Sequence, residues 1–90
     1  MNDNDTPPVM IIIGRAWMQK GGHAKEVHVF LVAPDDDSAV RSALEALARE
    51  GYVEAELDQI GELEGMPDEE PHASAYQGAI EGEIAIVVAN

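Results

Sequence analysis

Cysteine is absent from this chain of 90 residues. Without a thiol there is no disulfide scaffold, no thiolate metal site and no cysteine nucleophile. Aromatic residues are scarce, at 4%: Trp17, Phe30, Tyr52 and Tyr76. The core is therefore expected to consist of Ile, Val, Leu, Met and Ala. Hydrophobic residues reach 46%, a globular rather than a disordered proportion. No apolar run approaches the ~20 residues that span a bilayer, so no membrane segment is expected. The opening residues Met1 to Pro8 are polar and acidic, whereas a signal peptide is basic and then apolar. A reduced cytoplasm is the expected location.

Basic residues are the other shortage. Arg15, Lys20, Lys25, Arg41 and Arg49 stand against eighteen carboxylates, for a net charge of −13. All five lie in the first fifty positions, where eight acids leave a balance of −3. Residues 51–90 hold ten acids and neither Lys nor Arg, hence −10. Such a surface repels phosphate backbones and anionic lipids, so neither nucleic acid nor membrane is an expected partner. Excess carboxylate favours solubility. It also steers basic partners.

The expected organisation is a disordered leader over 1–8 and a single domain over 9–90, since this length suits one domain and not two. Val9 to Met18 and Glu26 to Ala33 read as strands, joined through the turn signal Lys20-Gly21-Gly22-His23. Pro34 to Ser38 opens a helix with an Asp cap and acidic first turn. Val40, Ala43, Leu44 and Leu47 form its apolar stripe, and Gly51 suits the left-handed position beyond its end. Tyr52 to Asp58 alternates as a strand, with Val53, Ala55 and Leu57 inward. Gly61, Gly65 and Pro67 are expected to end it. A weaker helix follows Asp68-Glu69-Glu70-Pro71, with Tyr76, Ala79 and Ile80 as its stripe. Ile84 to Val88 is the last strand.

The order is β-β-α-β-α-β. Right-handed crossovers through both helices would leave them on one face of a four-stranded mixed sheet. This α+β two-layer sandwich resembles the ferredoxin-like superfold in architecture alone, through its order of elements.

With Trp17 placed opposite His28, the face holding Met10, Ile12, Ala16, Val27, Val29 and Leu31 is wholly apolar and belongs beneath the helices. The other face would carry Ile13, Arg15 and Trp17 beside His28, Phe30 and Val32, with Glu54, Glu56 and Asp58 from the third strand. Gly14 can mark a bulge that alters this pattern. An outer cluster of Trp, Phe, Ile and Val reads as an interface, as scattered surface aromatics, or as a small-molecule site.

Chemistry has few seats. The hydroxyls lie in helix caps, on helices or in the leader, away from any strained elbow. The three histidines lack the spacing of a helical zinc site, and no cofactor or metal is expected. Asp35-Asp36-Asp37 and Asp68-Glu69-Glu70 suit helix N-termini better than a calcium loop. The expected function is a non-catalytic interaction module. It would self-associate as a homodimer through the open sheet face and dock a basic protein with Glu54, Glu56, Asp58, Glu62 and Glu64. The alternative is a small enzyme or ligand-binding domain using Arg15, His28 and Glu54 or Glu56.

Overall fold

The computed structural model of the chain describes residues 8–89. The expected leader lies, apart from Pro8, outside the described residues. Four strands and two helices follow in the expected order: β1 (Val9–Trp17), β2 (Lys25–Leu31), α1 (Asp36–Arg49), β3 (Glu54–Leu63), α2 (His72–Ile80) and β4 (Ala85–Ala89). The strands form one sheet in the order β3-β1-β2-β4. Among the described residues no helix is long and apolar enough to cross a membrane.

Every neighbouring pair is antiparallel, so the sheet is not mixed. The reason lies between β3 and β4. The chain leaves β3 at Leu63, opposite Val9, and α2 begins at His72 beside His28. The helix then returns along the sheet, and β4 starts at Ala85 opposite Phe30. A loop outward and a helix back bring β4 in at the end where β3 finished. It therefore runs against β3, and the segment is no parallel crossover.

The helices take opposite faces. On one, Ala39, Ala43 and Leu47 of α1 pack on Met10, Ile12, Ala16, Val27, Val29 and Leu31. On the other, Ala75 and Ala79 of α2 pack on Val9, Phe30 and Val87. Val29, Phe30 and Leu31 are consecutive and all buried, which requires cover on both sides of β2. The expected single helical face and two-layer sandwich are thereby corrected, and the ferredoxin-like likeness extends no further than the α+β class.

Asp35 caps α1 by accepting the Ser38 N–H at 2.8 Å, and Asp36 and Asp37 occupy the first turn. The buried stripe is Ala39, Ala43, Ala46 and Leu47, while Leu44 is 41% exposed. Small residues let this helix lie close to the sheet. Gly51 has φ +103°, as its place past the helix end requires.

In the hairpin His28 lies opposite Ile13 rather than Trp17, which leaves a longer loop over 18–24. The slip is four residues, an even number, so every side chain keeps its expected face. The bulge is real, and its extra residue is on β3. Gly14 pairs with Leu57 and Ile13 with Gln59, and Asp58 is skipped. Beyond it the alternation of β3 inverts: Ala55 and Leu57 join the α1 side, but Leu63 packs with the α2 cluster. This inversion, together with the tolerance of an edge strand for glycine, carries β3 through Gly61 to Leu63. Val53 is 60% exposed instead of inward.

Candidate functional site

The α2 face is only partly covered. The helix shields the end around Val9, Phe30, Leu63 and Val87. Towards the hairpin loop, Ile13 and Trp17 stay half-buried while Arg15, Glu26, Glu54 and Glu56 are exposed. Phe30 is fully buried, and Val32 packs beside the same cluster. Phe30 thus belongs to the core under α2 rather than to the expected open interface, and Val32 is partly buried beside it.

On the uncovered part, cross-strand pairing sets a row of alternating charge. Arg15 faces Glu56 on β3 and Glu26 on β2, so a cation stands between two carboxylates. Its Nη2 donates to Glu56 Oε1 at 2.5 Å, and its guanidinium lies 5.7 Å from the centre of the Trp17 ring. Both partners of the ion pair are more than half exposed, which makes it a weak contributor to stability. Glu54 pairs with Trp17 across β1 and β3.

A second array starts from Glu26 and His28, which share a face because side chains two apart on a strand point the same way. His28 Nε2 lies 2.6 Å from Glu26 Oε2, and its Nδ1 lies 2.8 Å from His72 Nε2. His72 is the first residue of α2. Its ring meets His28 and Phe30 edge to face, at centroid distances of 5.0 and 5.4 Å. When a neutral His28 donates its Nε2–H to the Glu26 carboxylate, Nδ1 is left as an acceptor and His72 Nε2–H donates to it. The array can hold a proton and share it between two elements of the fold.

The expected grouping of Arg15, His28 and Glu54 or Glu56 is therefore divided. Arg15 is tied to Glu56, and His28 turns to Glu26 and His72. The i, i+2 spacing of Glu26 and His28 was a legible signal. His72, 44 positions from His28, becomes a partner only once α2 is docked. Among the described residues no group of three or more His, Asp or Glu converges as metal ligands would.

The acidic candidates do not form one patch. Glu54 and Glu56 share the face of Arg15, Asp58 is the bulge residue, and Glu64 follows the strand end. Glu62, opposite Met10, turns to the α1 side and lines a depression there with Asp35, Asp36 and Asp37. Together they make β3 a carboxylate-lined edge. The remaining acidic runs cap helices. The Ser38 backbone N–H and hydroxyl hold the Asp35 carboxyl below the usual carboxylate range, and Ser74 does the same for Glu70 through its hydroxyl and N–H.

Compared with family models, curated proteins and solved structures, the chain matches none.

Proposed function

We propose that this chain is a small, non-catalytic interaction module that pairs with a second copy through the free edge of β4 and presents the acidic edge of β3 to a basic protein. One observation supports the reading: the two edges of the sheet have opposite character. β3 carries Glu54, Glu56, Asp58 and Glu62 and is interrupted by a bulge, the features that keep an edge from pairing with another chain. β4 reads Ala-Ile-Val-Val-Ala, with no charge, no proline and no bulge, and its Val88 is 42% exposed. An uncharged free edge invites strand addition. The homodimer thus moves from the sheet face, where α2 occupies the side around Phe30, to the sheet edge.

Charge favours a second copy joined in this way. Two copies meeting at β4 carry their β3 strands at the two outer edges of a joined sheet. Seven strand spacings of roughly 4.8 Å separate those edges by about 34 Å. That exceeds several screening lengths of ~8–10 Å, so chains of −13 each can meet without opposing their acidic edges. The shared edge is five residues long, small beside the ~1,200–2,000 Å² of stable interfaces, so the pairing is expected to be weak and reversible.

Sedimentation over a concentration series tests the pairing. The wild-type chain is expected to dimerise, more tightly as sodium chloride is added. Val88→Glu should be monomeric, whereas Val53→Glu, with the same added charge on an exposed site away from β4, should behave as wild type. A wild-type chain monomeric at about 1 mM, or equal losses in both variants, refutes the edge. Docking is tested with an oligolysine probe. Glu54→Gln and Glu56→Gln are combined with Leu44→Glu and Ala48→Glu on α1, at unchanged net charge. Weaker binding by this rearranged chain supports a positional role for β3, and equal binding refutes it.

A further inference from the structure

We propose that the Glu26–His28–His72 array is a pH-sensitive latch that fastens the start of α2 to the sheet and releases it when both imidazoles carry two protons. The contact is a single N–H···N hydrogen bond of 2.8 Å, and it needs one lone pair between the rings. With neutral rings His72 donates. With one added proton on His28, held by Glu26 at 2.6 Å, the direction reverses and the bond survives. A second proton leaves two N–H groups facing each other, and the rings must part. That proton also places a cation on the first residue of α2, at the positive end of the helix dipole.

The surroundings leave this pair as the group that changes. From β1, Ile13 lies opposite His28 and Arg15 opposite Glu26. From β4, Val87 and Ala89 face the same two positions and bring no charge. On the approach to α2, Asp68 and Glu69 line a depression with His72, and Glu70 accepts the Ser74 N–H at 3.0 Å. Ser74 holds the Glu70 carboxyl below the usual carboxylate range, and imidazoles in general gain protons between about pH 7 and 5. Little else holds α2: it has nine residues, and only Ala75 and Ala79 are buried. Release uncovers the apolar surface around Phe30 and Val87.

Amide exchange of α2, compared with α1 in the same sample, reads the latch. Protection of α2 is expected to fall about ten-fold between roughly pH 7.5 and 5 after correction for intrinsic rates, with α1 unchanged. In His72→Gln the side-chain amide donates to or accepts from His28 in either protonation state, so the pH dependence should vanish. Unchanged α2 protection in the wild type, or the same fall in His72→Gln, overturns the proposal. Imidazole ¹⁵N shifts of the wild type give the result independently of how the variant folds. Loss of protection must follow the second proton on the His28–His72 pair. If it follows exposed His23, or precedes that second proton, the latch is refuted.

Discussion

Gly14→Ala is the sharpest test of the bulge that sets the register of β1 and β3. Gly14 is buried against the β3 backbone. A Cβ added there would lie 2.8 Å from Leu57 Cα and 3.0 Å from the Glu56 carbonyl carbon, with the Glu56 oxygen nearer still. Carbon atoms in ordinary contact sit at roughly 3.5–4.0 Å, so the strands must separate by most of an ångström. The opposing atoms are main chain held in a ladder and cannot swing aside as a side chain would. Overpacking costs about 1–3 kcal/mol, and this site belongs at the upper end. For a domain of this size each kcal/mol shifts the melting temperature by roughly 4–8 °C, so a fall of about 10–20 °C is expected. Gly61→Ala is the control in the same pair of strands. Its Cβ meets nothing within 4 Å, so reduced freedom of the unfolded chain should stabilise by ~0.4–1 kcal/mol. Urea and thermal unfolding followed by circular dichroism measure both. Gly14→Ala within about 0.5 kcal/mol of wild type would refute the close approach of β1 to β3.

Phe30→Ala should cost about 3–5 kcal/mol in urea unfolding, and Trp17→Ala distinctly less, because Phe30 is fully buried under α2 and Trp17 is half-exposed. Phe30→Glu should at least detach α2 from the sheet; a variant whose α2 amides stay as protected as in the wild type would contradict the placement of α2. Thermal stability should rise with sodium chloride, since salt screens repulsion among ten carboxylates in residues 51–90 that no Lys or Arg there offsets; a falling melting temperature would refute that account. The Asp35 carboxyl is held below its ordinary range by Ser38. Its contribution is therefore present above about pH 4 and lost as pH falls through the lower folded value. Asp35→Asn should keep the cap and flatten that acid limb, while Asp35→Ala should lower the melting temperature at neutral pH.

The order of elements, the cap and stop of α1 and the two faces of β1 and β2 were legible in the sequence, because each depends on local chemistry. Asp35 satisfies one orphan amide three residues away, Gly51 adopts a left-handed turn, and strict alternation assigns side chains to faces whatever the register. Alternation alone does not say what covers each face. The consecutive apolar residues Val29, Phe30 and Leu31 fit a strand covered on both sides, but alternation left Phe30 on an open face, and only packing decided that α1 took one face and α2 the other. The inversion within β3 was likewise undetermined, since skipping Asp58 is a property of its pairing with Gly14 and not of either strand alone. His28 and His72 meet for the same reason. Their contact joins positions 44 apart, and such a distance in sequence is closed by the tertiary placement of α2, not by any local preference.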